Sequence, residues 1–143
     1  MSRVQLALNV ADLDEAVAFY SKLFATGPAK LRPGYANFAV PDPPLKFVLI
    51  EDASRRPGSL NHLGIEVDTT EEVAAAQKRL ADEGLATAIE DGVACCYAVQ
   101  DKVWVDGPGG EPWEVYTVLA ATEARDGYLP SVEPGDAASL SCC

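Results

Sequence analysis

The sequence lacks the features of a membrane-bound or nucleic-acid-binding protein. It has no run near the roughly 18 apolar residues of a transmembrane helix, and its N-terminus has no apolar signal region. The 11 basic residues form no cluster and are outnumbered by 22 acidic ones, which gives a formal charge of −11. Such a chain is poorly suited to nucleic acid or to an anionic lipid surface. We therefore expect a cytoplasmic protein that binds neither.

Histidine and cysteine are also scarce. His62 is the only histidine, and the four cysteines form two adjacent pairs, Cys95-Cys96 and Cys142-Cys143. Thiols stay reduced in the cytoplasm, and a bond between neighbouring cysteines would not join distant segments. The pattern favours reactive or ligand-binding thiols over a disulfide framework.

Two similar halves make up residues 1–120. In each, an alternating strand precedes a helix with capping residues, and three strands follow. The predicted modules span about residues 1–52 and 60–120, and one predicted strand, residues 94–100, contains the first cysteine pair. Residues 121–143 are rich in Gly, Pro, Ser and acidic residues, which is typical of a flexible tail. We predict an α+β fold of tandem βαβββ modules, with curved mixed sheets around a shared cavity.

The first and last strands of the halves also match in detail. Residues 4–10 align with residues 61–67, which pairs Gln5 with His62, and residues 44–48 align with residues 112–116, which pairs Lys46 with Glu114. Polar side chains at matched positions of a repeat indicate a site between the halves.

This tandem pattern resembles the vicinal-oxygen-chelate superfamily. The resemblance implies metal ligands at the four matched positions. In the branch of the superfamily that uses dioxygen, three ligands are enough to bind Fe(II). Carried over to this chain, the ligands are Gln5, His62 and Glu114, with an amide oxygen in place of one imidazole. Protonated Lys46 cannot ligate. This donor set suits Fe(II), Mn(II) or Ni(II). The alternative is that His62 is a hydrogen-bonded core residue and Glu114 a paired core carboxylate.

The adjacent thiols Cys95 and Cys96 are soft ligands. They suit trivalent arsenic with one organic substituent, because two thiolates can replace its two hydroxyl groups. Successive side chains of a strand point to opposite faces, so both thiols can reach one ligand only where the backbone kinks. The alternative is a pair of small buried hydrophobic side chains.

Several segments together look like those of the organoarsenical C–As lyases, whose close relatives include cadmium-induced proteins. They are Gln5, residues 34–39, 43–46 and 61–64, Cys95-Cys96, and residues 100–105 and 107–116. The resemblance implies a non-haem iron dioxygenase that uses Fe(II) and dioxygen in arsenic detoxification. Its thiols would bind methylarsenite or an aromatic arsenical, and cleavage of the C–As bond would release arsenite.

Other interpretations remain open at this stage. The chain could be a non-catalytic protein that sequesters cadmium or arsenic on the same fold. A glyoxalase-type isomerase would normally need a fourth ligand in place of Lys46, and an extradiol dioxygenase would need a histidine in place of Gln5. Residues 101–112 are either a lid or an exposed hairpin turn, and Cys142-Cys143 either capture arsenic or cadmium and pass it inward or have no function. The sequence leaves open whether the chain forms a homodimer.

Overall fold

The structure is a computed structural model that describes residues 2–122 and 126–127. Within these residues it contains two helices and nine strands, in the order predicted for two successive modules. They are β1 (Arg3–Val10), α1 (Leu13–Leu23), β2 (Lys30–Arg32), β3 (Tyr35–Pro41), β4 (Pro44–Glu51), β5 (Leu60–Glu66), α2 (Thr70–Asp82), β6 (Ala88–Cys95), β7 (Ala98–Asp106), β8 (Pro112–Ala121) and β9 (Asp126–Gly127). Neither helix is long and apolar enough to cross a membrane.

All described strands join one mixed sheet in the order β2-β3-β4-β1-β5-β8-β7-β6-β9. The halves meet where β1 pairs antiparallel with β5. On either side of this seam, β1 pairs parallel with β4 and β5 pairs parallel with β8. Equivalent strands of the two modules therefore occupy equivalent places, which confirms the predicted tandem βαβββ architecture.

Each helix begins at a capping residue and covers its own module. The Asp12 carboxylate accepts from the backbone N–H of Glu15 at the start of α1, and Thr69 forms a capping box with Glu72 at the start of α2. The buried Leu13 of α1 packs in a cluster with aromatic and aliphatic residues of β3 and β4. In the same way, Val73 of α2 packs with buried valines of β7 and β8.

Strand alternation creates the interior that the two modules share. Along β4, Phe47 and Leu49 face the helix, whereas Val48 and Ile50 face the other way. Val48 and Ile50 pack in one cluster with Ala7 of β1 and with Cys95 from the second module. A single core therefore crosses the boundary between the modules.

The cysteine pair lies at a hairpin turn, and the single predicted strand over residues 94–100 is wrong. Strand β6 ends at Cys95 and β7 begins at Ala98, with Cys95 opposite Ala98. Between them, Cys96 and Tyr97 have positive φ angles of 52° and 62°. Two such residues are the mark of a type I′ turn. The sequence has no Gly, Asn or Asp there, so the usual turn signal is missing.

The structure also describes all or part of two other segments discussed above. Half of the proposed lid, Asp101–Asp106, is part of β7, and only residues 107–111 form a loop. Of the predicted tail, Ala121 ends β8 and Asp126–Gly127 pair with Ala94 and Cys95 of β6. Cys142 and Cys143 lie outside the described residues.

Candidate metal and thiol site

Neighbouring strands place a row of side chains across the inner face of the sheet. Cross-strand pairing runs from Lys46 to Gln5, then to Gly64, Glu114 and Trp104. His62 precedes Gly64 by two residues and therefore shares its face. Gln5, His62 and Glu114 are only 4%, 3% and 2% exposed. The core of the sheet thus contains three buried polar side chains side by side.

The structure brings these three predicted ligands into contact. The Gln5 Nε2 atom lies 3.0 Å from His62 Nε2 and 2.7 Å from Glu114 Oε1, and the last two atoms are 3.3 Å apart. An octahedral ion with bonds of about 2.1 Å keeps adjacent ligand atoms about 3 Å apart. The triangle therefore has the size of one octahedral face. In the described part of the chain, no three His, Cys, Asp or Glu side chains lie close enough together to hold a metal ion. A third ligand at this place therefore has to be the amide of Gln5.

The absence of a side chain at Gly64 lets the triangle close. A Cβ atom at this position would lie 3.1 Å from Glu114 Cγ, 3.2 Å from Gln5 Nε2 and 3.3 Å from Gln5 Cβ. These distances are shorter than ordinary van der Waals contact. Glycine therefore allows Gln5 and Glu114 to approach each other across β5.

Lys102 keeps the Glu114 carboxyl ionised. Its ammonium is fully buried and lies 2.8 Å from Glu114 Oε2. Burial alone raises the pKa of Glu114, but the neighbouring groups, of which the charge of Lys102 is the strongest, together outweigh burial and the pKa falls to about 2. Oε2 is occupied by Lys102, which leaves Oε1 directed at Gln5 and His62.

The imidazole of His62 is oriented by its neighbours. Its Nδ1 atom lies 2.8 Å from Asn61 Oδ1, which can only accept a hydrogen bond, so Nδ1 carries the proton. The lone pair of Nε2 then faces the triangle, as metal ligation requires. The ring of Trp104 stands edge-on to the imidazole at a centroid distance of 5.5 Å.

A second polar group lies behind Gln5. The Tyr116 hydroxyl oxygen is 2.6 Å from Gln5 Oε1 and 2.9 Å from Glu66 Oε2. Glu66 also contacts Arg3 at 3.1 Å and Lys46 at 3.4 Å. Burial raises the pKa of Glu66, but Lys46, Tyr116 and Arg3 together lower it below the usual value. Lys46 is thus paired with Glu66 and does not enter the triangle.

A cavity of about 420 Å³ opens against His62. Trp104 and Val105 form part of its wall, and Arg55 and Asp106 supply charges. The complete lining comprises Asp52, Arg55, Asn61, His62, Ala86, Thr87, Ala88, Trp104, Val105, Asp106 and Pro112. His62 therefore borders a cavity that is large enough for a small molecule.

The cysteine pair lies in the shared interior. Cys95 is 1% exposed and packs in the cluster with Ala7, against which Cys96 and Trp104 also pack. Trp104 also contacts His62, so the triangle and the cysteine turn border the same interior cluster. Lys30 donates to the Tyr97 carbonyl at 3.1 Å, which ties the turn to β2 of the first module.

The sulfur atoms of Cys95 and Cys96 are 3.6 Å apart. With sulfur–ligand bonds of about 2.3 Å, as in zinc thiolates, sulfurs up to about 4.6 Å apart can bind one central atom. The turn thus provides the kink that convergent thiols need. Both cysteines are disulfide-bonded in the structure, whereas reduced thiols were predicted.

Sequence reasoning missed several residues of the site. Gly64, Glu66, Tyr116, Lys102 and Trp104 all lie on the inner face, two or four residues from a predicted ligand or from each other. Extending the period-two pattern from His62 and Glu114 would have found the first three. Lys102 and Trp104 needed the pairing of β7 with β8, which the sequence does not specify.

The predicted matching of the modules is shifted by two residues in the structure. In the first module Gln5 lies opposite Lys46, and in the second module Gly64 lies opposite Glu114. Gly64 is therefore the structural counterpart of Gln5, whereas the sequence alignment matches Gln5 with His62. A shift of two residues leaves every side chain on the same face of its strand. All four matched residues therefore still point into the interior.

Known proteins resemble this chain along its whole length. The profile of the Glyoxalase/Bleomycin resistance protein/Dioxygenase superfamily matches residues 3–115. A trivalent organoarsenical cleaving enzyme from Thermomonospora curvata is 65% identical over 100% of both chains. The cadmium-induced protein CadI of Mycobacterium tuberculosis is 55% identical over 100% of this chain and 93% of its own length. An extradiol ring-cleaving dioxygenase from B. fuscum shares the fold, with a TM-score of 0.60 and 20% identity over 85% of this chain and 34% of that one.

Proposed function

Because the chain belongs to the glyoxalase/bleomycin resistance protein/dioxygenase superfamily, we propose that it cleaves the carbon–arsenic bond of trivalent organoarsenicals. The substrates would be methylarsenite or aromatic arsenicals, and the reaction would release arsenite in arsenic detoxification. The 65% identity to an organoarsenical cleaving enzyme supports this reaction. The observation that carries the proposal is the position of two adjacent cysteines in the same interior as the buried triangle of Gln5, His62 and Glu114.

The triangle would hold Fe(II) through Gln5, His62 and Glu114. Its size, the ionised carboxylate of Glu114 and the lone pair of His62 Nε2, which here accepts from the Gln5 amide, all suit an octahedral divalent ion. When bound, Fe(II) supplies the redox chemistry by which dioxygen attacks the carbon–arsenic bond. The protein has to turn the Gln5 amide so that its oxygen faces the ion, and Lys102 keeps the far oxygen of Glu114 occupied.

Cys95 and Cys96 would bind the substrate in their reduced state. Each thiol replaces one hydroxyl group on trivalent arsenic, and its proton leaves with that hydroxyl as water. Two arsenic–sulfur bonds form and the carbon–arsenic bond remains. The arsenical is then fixed beside the triangle, and this positioning lowers the entropic cost of the reaction.

The cavity beside His62, which neither cysteine lines, would give a small molecule a route toward the triangle. Its volume of about 420 Å³ accommodates an aromatic ring as well as a methyl group. Trp104 forms an apolar wall of this cavity next to the imidazole.

A second candidate function is sequestration of cadmium or arsenic without turnover. The 55% identity to a protein named for its induction by cadmium favours it, and paired thiolates also suit this soft metal. In that case Cys95 and Cys96 would be sufficient, and the triangle would be a polar element of the core.

Reconstitution with Fe(II) separates the two candidates. The reduced protein is loaded with Fe(II) without air, methylarsenite and then air are added, and arsenite is quantified. We expect arsenite from the wild type, bound but uncleaved methylarsenite with His62→Ala, and no binding with Cys95→Ser, with circular dichroism as the control for folding. Binding without arsenite release by the wild-type protein would refute the lyase and support sequestration.

A further inference from the structure

Tyr116 is a fully buried tyrosine whose hydroxyl lies between two oxygen atoms. Gln5 Oε1 is 2.6 Å away on one side, and Glu66 Oε2 is 2.9 Å away on the other. A phenolic hydroxyl has one hydrogen to donate. Glu66 can only accept, because its ion pairs with Arg3 and Lys46 keep it a carboxylate. In the present arrangement, the Tyr116 hydroxyl can therefore donate a hydrogen bond to Gln5 or to Glu66, but not to both.

Rotation of the Gln5 amide by half a turn removes this conflict. Its nitrogen would then donate to the Tyr116 oxygen, and the Tyr116 hydrogen would go to Glu66. The two ends of an amide have nearly the same shape, so hydrogen-bond partners decide between the two orientations. In the rotated form, the Gln5 hydrogen that points toward Tyr116 and the Tyr116 hydroxyl hydrogen each have an acceptor.

On the opposite side, the rotated amide presents its oxygen to the triangle. Gln5 Oε1 would take the place of Nε2, close to Glu114 Oε1 and His62 Nε2. Three atoms with lone pairs would then face one point, an arrangement that is unfavourable unless a cation lies between them. The present orientation suits the metal-free triangle, and the rotated one suits a bound ion.

We propose that Tyr116 and Glu66 are positioning residues, which hold the oxygen of the Gln5 amide toward the triangle when a divalent cation binds. Tyr116 then accepts a hydrogen bond from Gln5 instead of donating one, and its own hydroxyl donates a hydrogen bond to Glu66. This inference rests on the proposed metal site and adds two residues that do not touch the ion.

The test measures Co(II) affinity of the reduced protein without air, from the visible absorption of the bound ion. Tyr116→Phe removes the acceptor for the rotated amide, so we expect affinity to fall by about 10- to 100-fold, as for other groups that orient metal ligands. Glu66→Gln can donate to Tyr116 and so favours the unrotated amide, and we expect a smaller loss of about threefold to tenfold. Tyr35→Phe, another buried tyrosine, whose hydroxyl contacts Asn37, is the matched control and should leave affinity unchanged.

The same substitutions in a Gln5→Glu background show whether the effect acts through the amide. A carboxylate has an oxygen at each end and needs no rotation, so Tyr116→Phe should then cost less than about threefold. Equal losses in both backgrounds, or no loss in either, would refute the positioning role while leaving the metal site intact. Absence of Co(II) binding by the wild-type protein would overturn the metal site and this inference together.

Discussion

At the scale of single residues, the site requires a missing side chain as well as the three ligands. Gly64 leaves the space in which Gln5 and Glu114 meet, and a Cβ would come within 3.1 Å of Glu114 Cγ. We predict that Gly64→Ala pushes the two side chains apart by a few tenths of an ångström. Affinity for Co(II) should fall about 10-fold, since ligand position controls affinity.

Gly27→Ala is the matched control for this substitution. A Cβ at Gly27 would have no atom within 4 Å, and this glycine does not have a positive φ angle. We expect its Co(II) affinity to equal that of the wild type. Equal affinities of the Gly64→Ala and wild-type proteins would contradict the assigned role of Gly64.

Glu66 contributes a pH dependence to the stability of the metal-free protein. Its pKa in the folded state lies below the value of 4.5 that the unfolded chain approaches, because Lys46, Tyr116 and Arg3 outweigh the effect of burial. The carboxylate therefore stabilises the fold fully above pH 4.5, and this contribution disappears as pH falls through the folded-state pKa. We predict that Glu66→Gln makes the decline of the unfolding free energy below pH 4.5 less steep.

Urea denaturation at a series of acidic pH values measures this slope. Glu83→Gln, which removes an exposed carboxylate at the end of α2, serves as the control and should keep the wild-type slope. If the slope of Glu66→Gln matched that of Glu83→Gln, the ion pairs of Glu66 would not stabilise the fold.

At the scale of elements, the β6–β7 hairpin places the thiols at an energetic cost. Cys96 and Tyr97 both adopt left-handed backbone conformations, which cost about 1–2 kcal/mol for residues with a Cβ. Asparagine is favoured in this turn. We predict that Cys96→Asn raises the free energy of unfolding under reducing conditions by about 1 kcal/mol, while it abolishes binding of methylarsenite.

Cys96→Ser distinguishes these two effects. Serine also removes the thiol but has no preference for the left-handed region, so we expect loss of arsenical binding without a gain in stability. Denaturation in the presence of a reductant measures both proteins. If Cys96→Asn were less stable than Cys96→Ser, backbone strain at Cys96 would not control the stability of this turn.

At the scale of the whole molecule, the two modules should unfold together. The interior cluster contains residues from both modules, and β1 and β5 pair along the seam. Both tryptophans, Trp104 and Trp113, belong to the second module. We predict that Leu13→Ala, in the first module, destabilises the protein by about 2–5 kcal/mol. Tryptophan fluorescence follows only the second module, and it should nevertheless show the whole loss of unfolding free energy.

Leu23→Ala in the same helix is the control, since Leu23 is 61% exposed and its removal should change stability little. Far-UV circular dichroism follows α1 and α2 together, and fluorescence follows only the second module. Two separate transitions in Leu13→Ala would mean that the modules unfold independently.

The α+β architecture could be predicted because its signals are local. Alternation defined β1 and β5, and Asp12 and Thr69 capped the helices as their sequence spacing predicts. The contact of Gln5, His62 and Glu114 matches the repeat pattern, although the assignment of a metal to them stays a proposal. The turn at Cys96 and Tyr97 could not be predicted, because contacts with Lys30 and Pro33 of the first module stabilise it instead of a turn-forming residue.

The sequence by itself determined two βαβββ modules, their inward-facing positions and the donor types placed there, because periodicity and capping depend on neighbours within a few residues. Only the tertiary structure decided that Gly64 lies opposite Glu114, that Lys102 neutralises that carboxylate, and that Tyr116 stands between Gln5 and Glu66. These relations depend on strand register and on contacts between distant segments. The free energy of the whole fold selects them, and no local pattern encodes them.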